Sequence, residues 1–276
     1  MWVLAVAAFG VLTVACERAS TTDSPRISAS RHAALRGADP GGFLPSVCIG
    51  EDDVRVWRRV DPTTATDTAP RPSWDGGCTW TVAMRDGVPL VSLTRDYRAA
   101  LPDGFSLGTM DPPRAVQVGV AGVLLGFDRG EWGGSLTWHS NTGTLKGRLL
   151  AQSVVAILPA FDQFIVLTAG GELMAGHALE VRDRKTHFEL GRTVELPHWP
   201  GGGAIDRDGS VLVATTEGLL SVSRNLRVRW LLRTTWPVPT SVAVATDGLA
   251  YVAMNGVVVE VQFSTTSPVQ TWLYPF

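Results

Sequence analysis

A pattern that occurs twice in the C-terminal third of the chain constrains the fold more than any other feature. Residues 202–222 recur as residues 241–261, and the Asp-Gly pair that begins at Asp208 falls on the pair that begins at Asp247, 39 residues later. Each copy contains three short apolar runs separated by an Asp-Gly pair and by a glycine. Asp-Gly is typical of tight hairpins, because glycine adopts positive φ without steric cost. The pattern therefore predicts antiparallel strands.

The apolar runs are continuous rather than alternating, which is typical of strands covered on both faces. An aromatic residue followed by proline marks the same period, at Trp199, Trp236 and Tyr274, spaced 37 and 38 residues apart. A period near 40 residues with about four strands per unit is the signature of a propeller blade. At these residues the chain resembles the blades of NHL-type and quinoprotein-type β-propellers, and the resemblance implies an all-β propeller.

The preceding sequence extends this pattern towards the N-terminus. Residues 115–150 and 153–196 each predict four strands, and residues 78–95 predict a hairpin around Asp86-Gly87. We therefore predict a propeller domain over residues 43–276 with about five four-stranded blades, and six blades remain an alternative. The ring would close by side-chain packing between the first and last blades, or by an N-terminal strand that crosses over.

The N-terminus predicts export. Residues 1–15 form an uncharged apolar run that is too short to span a bilayer comfortably and has the length of a secretory core. The run ends directly before Cys16, and Thr-Val-Ala-Cys at 13–16 resembles the bacterial lipobox, which implies a lipoprotein-type signal (residues 1–16) and a lipid anchor on Cys16. An ordinary cleaved signal and a misplaced start codon are the alternatives.

Residues 17–42 carry hardly any large apolar side chain, so they predict a disordered, flexible tether that cannot bury enough surface to fold. With the leader, this tether predicts an extracytoplasmic, membrane-anchored protein in a bacterial cell envelope.

The cysteines are consistent with an extracytoplasmic location. If Cys16 carries lipid, Cys48 and Cys78 remain as one pair in an oxidising compartment. A disulfide between them would close a loop of about 30 residues and contribute about 3 kcal/mol. Two separate buried thiols are the alternative.

One loop is the most distinctive candidate for a site. The glycine-rich residues 126–134 and the strand that follows carry two carboxylates, two indoles and an imidazole, at Asp128, Glu131, Trp132, Trp138 and His139. Two carboxylates three residues apart can share a cation or act as acid and base, and an exposed indole beside them suits a sugar ring. The alternative is a glycine-rich turn whose tryptophan caps the edge of the blade.

Other chemistry has little support in the sequence. The histidines show no metal-ligand spacing, and dinucleotide and phosphate-loop motifs are absent, so we predict neither a metal nor a cofactor. A net charge of −2 gives no global field that favours nucleic acid, and a monomer is expected.

Gly104, Ser106 and Gly108 fit G-x-S-x-G, but that motif needs a strand before the serine and a helix after it, and the flanking prolines oppose both.

Two classes of function compete. The first is a non-enzymatic module that presents a propeller face to a protein or a glycan. The second is an enzyme, either of the gluconolactonase or quinoprotein kind or a carbohydrate-active one that uses Asp128 and Glu131. Gluconolactonase-like and quinoprotein-like propellers hold a metal or cofactor with polar side chains of the innermost strands. The predicted innermost strands here are almost wholly apolar, so the sequence favours the binding module.

The predicted disulfide has a measurable consequence. Replacing Cys48 and Cys78 together by alanine should lower the free energy of unfolding by about 3 kcal/mol, because the unfolded chain regains the freedom of the closed loop. Urea titration of the mature protein measures this difference. Reduced wild-type protein should match the double variant, and equal stability of the oxidised, reduced and substituted proteins would contradict the pairing.

Overall fold

The computed structural model describes residues 52–53, 55, 57–60, 79–93, 99–107, 111–130, 133–170, 175–263 and 267–274. All of them lie within one compact unit, Ser46–Phe276. The leader, the tether and the cysteines Cys16, Cys48 and Cys78 lie outside the described residues. Within the described part of the chain, no helix is long and apolar enough to cross a membrane.

The described residues form twenty strands in five antiparallel sheets. Three sheets have four strands each, paired in chain order. The strands of the second sheet are β5 (Ala115–Val118), β6 (Val123–Asp128), β7 (Gly134–His139) and β8 (Leu145–Leu150). Those of the third sheet are β9 (Ser153–Ala160), β10 (Gln163–Ala169), β11 (Gly176–Asp183) and β12 (Phe188–Leu196). Those of the fourth sheet are β13 (Pro200–Ile205), β14 (Val211–Thr215), β15 (Gly218–Val222) and β16 (Val228–Arg233).

The two N-terminal strands belong to different sheets, β1 to the first sheet and β2 to the fifth. The first sheet has three strands in the order β1 (Asp52–Asp53), β4 (Val88–Leu93) and β3 (Trp80–Arg85). The fifth sheet has five strands in the order β17 (Pro239–Val244), β18 (Leu249–Met254), β19 (Val258–Gln262), β20 (Val269–Tyr274) and β2 (Arg58–Val60). The prediction of a five-bladed propeller is confirmed, although these two blades depart from four strands.

The strands β5, β9, β13, β17 and β3 lie at the inner edges of their sheets, and each contacts the next in that order. Apolar clusters fill the spaces between successive sheets, since paired strands turn buried side chains to both faces. Burying one such leucine or valine contributes roughly 1.5–3 kcal/mol. Residues 99–107 cover the remaining face of the second sheet, where Phe105 packs against Val123 and Leu125.

The N-terminal strand β2 crosses over to the outer edge of the last sheet, where Arg59 lies opposite Leu273. The Arg59 guanidinium donates two hydrogen bonds to the buried Glu260 carboxylate, at 2.7 and 3.0 Å. Burial, and then the nearby Glu260, raises the pKa of Tyr251. The strand therefore adds both ladder hydrogen bonds and an ion pair to the last blade.

Glycines set how closely the inner strands approach. A Cβ atom on Gly202 would lie 2.7 Å from the Cα atom of Ser241, and one on Gly201 would lie 2.0 Å from the carbonyl oxygen of Pro239. Only a residue without a side chain therefore fits at the start of β13. This close approach of β13 to β17 brings the fourth and fifth sheets together at one end of the propeller.

The close approach predicts a sharp difference between two glycine substitutions. Gly202→Ala should destabilise the protein by about 1–3 kcal/mol, because the added methyl group meets backbone atoms that cannot rotate away. Gly147→Ala, in β8, is the matched control, since the nearest atom to its added Cβ lies 4.0 Å away. Thermal unfolding of both variants measures the difference, and equal melting temperatures would contradict the packing.

A buried carboxylate joins the outer strands of the third sheet. The side chain of Glu180 is 1% exposed and accepts hydrogen bonds from Arg192 Nε at 2.9 Å and from Arg182 Nη2 at 3.2 Å. The hydrogen bond from Arg192 is the main reason why the pKa of Glu180 falls from 4.5 to about 2.

This lowered pKa predicts an acid-sensitive contribution to stability. Because the folded-state pKa lies below the unfolded-state pKa, Glu180 stabilises the fold fully above pH 4.5 and loses that contribution as the pH falls towards about 2. The stability difference between wild type and Glu180→Gln should therefore shrink over this range. Denaturant unfolding at several pH values tests this, and a difference that stays constant down to pH 2 would contradict it.

Candidate functional site

One end of the propeller, which we call the mouth face, is the end at which the inner strands β5, β9, β13 and β17 begin. Arg114 directly precedes β5 and Asp128 ends β6, so both lie at this end. The Nη1 atom of Arg114 donates to Asp128 Oδ2, and its Nη2 atom donates to the carbonyl oxygen of Gly201 at 2.9 Å. The backbone N–H of Gly130 donates to Asp128 Oδ1 at 3.0 Å. Arg114 therefore links the second sheet to the fourth.

A cavity of about 290 Å³ opens beside this ion pair. Its walls come from the second, fourth and fifth sheets and from the connections that lead into them. They include Arg114, Asp128, Trp199, Gly201, Val238 and Pro239. We call it the mouth cavity.

Two apolar side chains are unusually exposed at its rim. Trp199 is 43% exposed and Val238 is 38% exposed. Each directly precedes a proline that begins an inner strand, and a proline has no N–H to donate to the ladder. The connection therefore stays outside the sheet, and these side chains remain at the mouth.

The floor of the mouth cavity is polar but has no net charge. The side chains of Arg114 and Asp128 are 11% and 9% exposed, and each neutralises the other. The cavity thus combines an open indole with hydrogen-bonding groups that are already held in place.

The structure describes three of the five sequence-predicted residues and places them in two locations. Asp128 lines the mouth cavity, whereas Glu131 and Trp132 lie outside the described residues. Trp138 and His139 lie towards the opposite end of the same blade, because Asp128 pairs with Gly134 at one end of the ladder and His139 ends β7. Five residues of strand separate the two ends by about 16 Å. The structure therefore does not bring these two side chains to Asp128.

Both of these side chains have internal partners. The Trp138 Nε1–H donates to the carbonyl oxygen of Ala121 at 3.1 Å. His139 is 1% exposed, and its Nδ1 and Nε2 atoms lie 3.0 Å from the carbonyl oxygen of Gly143 and from Thr137 Oγ1, respectively. The Trp138 contact joins β7 to the turn between β5 and β6, and the contact of His139 with Gly143 secures the turn between β7 and β8.

Sequence reasoning missed Arg114 and Trp199 as site residues. Trp199 served only as a marker of the repeat, together with Trp236, yet Trp236 is buried and its Nε1–H donates to Gln270 at 3.2 Å. The sequence feature that could have identified Trp199 as a site residue is its position, since it directly precedes an inner strand. Arg114 has the same position before β5.

A second cavity, of about 570 Å³, lies at the opposite end and includes the Asp-Gly turns. Their carboxylates serve the turns themselves: Asp206 accepts from the N–H of Arg207 at 2.7 Å and Asp208 from that of Ser210 at 2.8 Å. The hydroxyl of Ser210 is the main cause that lowers the pKa of Asp208. Among the described residues, no three His, Cys, Asp or Glu side chains are grouped as a metal site would require.

Comparisons with known proteins give no family. No protein-family model matches the chain, and no curated protein matches it.

Solved structures that are similar to this chain have low identity. A protein of unknown function from Bacteroides caccae is 16% identical over 71% of this chain and 70% of its own, with a TM-score of 0.42. A catalytically inactive virginiamycin B lyase from Staphylococcus aureus, in complex with quinupristin, is 12% identical over 56% and 54%, with a TM-score of 0.41. The extracellular domain of a hybrid two-component system from Bacteroides thetaiotaomicron is 12% identical over 68% and 24%, with a TM-score of 0.38. The match thus spans about half of the lyase and a quarter of the last protein.

Proposed function

We propose that this protein is an extracytoplasmic binding module whose mouth cavity holds one neutral sugar ring of a glycan. The observation that carries the proposal is the exposed Trp199 beside the paired Arg114 and Asp128 in one cavity. A protein partner on the same face is the alternative occupant.

The ion pair selects for a neutral ligand. The charge of Arg114 is already compensated by Asp128, so an anionic ligand gains little net attraction and meets the repulsion of the Asp128 carboxylate. A cationic ligand would have to compete with a guanidinium that is held in place. Sugar hydroxyls carry no charge; they can donate to the remaining lone pairs of Asp128 and accept from the hydroxyl of Thr216, which also lines the cavity.

The indole suits the apolar face of a sugar ring. Pyranose rings present C–H groups on one face, and the π face of tryptophan carries negative charge density that attracts their positive hydrogens. Val238 and Pro239 extend the apolar wall beside Trp199. A volume of about 290 Å³ lies at the lower end of the range for ligand pockets, which suits a single ring rather than a buried chain.

The proposed location outside the cytoplasm is supported by the sequence. The apolar leader before Cys16 supports export with a lipid anchor, and residues 17–42 would hold the propeller away from the membrane as a monomer. Such a tether lets the mouth face reach glycans of the envelope.

The contacts of Asp128 favour binding over hydrolysis. Both of its oxygens accept hydrogen bonds, from Arg114 and from the N–H of Gly130, so the carboxylate is engaged as a fixed acceptor. A glycosidase needs a second carboxyl group across the scissile bond. Glu131, the sequence candidate for that role, lies outside the described residues.

The proposal predicts how binding depends on the rim. Trp199→Ala should weaken binding of a neutral oligosaccharide about tenfold, as expected when a central aromatic contact is lost. Isothermal titration calorimetry with maltopentaose, cellopentaose and chitopentaose measures this effect. Val238→Ala should weaken binding less, and Val118→Ala, at the opposite end of β5, is the matched control that should leave it unchanged.

The ion pair gives a second arm of the same experiment. Asp128→Asn keeps the size of the side chain but leaves Arg114 without its counter-charge, so preference should move from neutral pentasaccharides towards oligogalacturonate. Failure of all three neutral sugars to bind, or equal affinity of wild type and Trp199→Ala, would contradict the proposal.

A further inference from the structure

The cavity of about 570 Å³ at the end opposite the mouth face contains charges of both signs that do not pair with each other. Its lining comes from the fourth and fifth sheets, and we call it the turn cavity, because the turns after β13 and β17 form part of its wall. Five charged side chains line it, at Asp206, Arg207, Asp208, Arg229 and Asp247. None of the five forms an ion pair with a described residue. None of the residues that line it belongs to the mouth cavity.

The guanidinium of Arg207 is positioned by packing and not by hydrogen bonds. A Cβ atom added to Gly248 would lie 3.2, 3.4 and 3.6 Å from its Nη1, Cζ and Nε atoms, so the group covers the Asp-Gly turn of the neighbouring blade. It donates no hydrogen bond to the part of the chain that the structure describes. Its N–H groups are therefore free to meet an acceptor in the cavity.

Two carboxylates of the cavity each keep one oxygen for a ligand. The Oδ1 atoms of Asp206 and Asp247 accept from the N–H groups of Arg207 at 2.7 Å and of Leu249 at 3.1 Å, respectively. Their Oδ2 atoms accept no hydrogen bond from a described residue. Asp208 is less available, because Ser210 first, and then the charge of Arg229, lower its pKa.

The mixture of charges disfavours a ligand with a single charge. An anion that approaches Arg207 meets three carboxylates in the same cavity, and a cation meets two guanidinium groups. A metal ion finds no group of three His, Cys, Asp or Glu side chains within the described residues. A ligand that carries both an ammonium and a carboxylate meets an opposite charge at each of them, and an α-amino acid holds the two groups on one carbon atom.

The remaining wall of the turn cavity is apolar. Leu231, Phe263 and Pro268 line it, and the first two also pack against the apolar cluster between the fourth and fifth sheets. A volume of about 570 Å³ lies within the usual range for pockets that bind small molecules. The cavity therefore has room for a large apolar side chain beside the charged groups.

We propose that the turn cavity binds a free α-amino acid with an apolar side chain. Arg207 donates to its carboxylate, since a guanidinium can bind a carboxylate through two parallel hydrogen bonds. Asp247, on the turn that Arg207 covers, accepts from its ammonium, and Leu231 and Phe263 cover its side chain. This site is independent of the glycan proposed for the mouth cavity.

Titration of the ¹⁵N-labelled full chain with L-phenylalanine tests the proposal. The backbone amide resonances of Gly209 and Gly248 should shift and saturate. N-acetyl-L-phenylalanine lacks the ammonium and L-phenylalanine amide lacks the carboxylate, so each should bind about tenfold more weakly through the loss of a charge-assisted hydrogen bond. No saturable shift with L-phenylalanine, or equal or tighter binding of either blocked compound, would overturn the proposal.

Two variants assign the charged groups. Arg207→Gln should weaken L-phenylalanine binding about tenfold and remove the preference over the amide, because the carboxylate has lost its partner. Asp247→Asn should remove the preference over the N-acetyl compound, and it keeps the turn because asparagine can still accept from Leu249. Both side chains are exposed, so neither change disturbs the core.

Arg227→Gln is the matched control for these variants. Arg227 is an exposed arginine on the connection between β15 and β16 and does not line the turn cavity, so its loss should leave the affinity unchanged. Unchanged affinity in Arg207→Gln, an unchanged preference in Asp247→Asn, or an equal loss of affinity in Arg227→Gln would overturn the proposal.

Discussion

The packing of flat apolar sheets against each other is the constraint on which the rest of this structure depends. Consecutive strand residues turn to opposite faces, and both faces are buried in the middle blades, as at Leu212 and Val213. Close approach of the inner strands then requires glycine at Gly202. Side chains that are committed to this packing have no contact with solvent. Ligand chemistry is therefore confined to the ends of the strands and to the gaps between sheets.

The sequence predicted the parts of the fold that depend on neighbouring residues. Strands and Asp-Gly turns are local features, and Asp86 with Gly87 does adopt positive φ between β3 and β4. The repeats, together with the N-terminal hairpin, predicted about five blades and left six as an alternative. The crossing of β2 to the last sheet could not be decided, since it depends on a contact between Arg59 and Glu260, which are 201 residues apart.

The candidate site shows why adjacency in sequence is a poor guide in a sheet. Asp128 and His139 were grouped because they lie in one loop and in the strand that follows it, but an antiparallel pair of strands places them at opposite ends of the blade. The contacts that form the mouth cavity join Arg114 to Gly201 and bring Trp199 close, across two sheets. The spacing of these residues in the sequence does not predict that they meet, because their contact depends on how closely neighbouring blades pack.

Hydrogen–deuterium exchange on the full chain tests most directly whether the mouth face is the binding surface. The measurement compares the free protein with the protein saturated by the neutral pentasaccharide that binds most tightly. The account predicts added protection in peptides from three separate sheets, around Arg114, Trp199 and Pro239, because the inner strands begin together at this face. Protection confined to the opposite end, around the turns at Asp208 and Asp247, would contradict it.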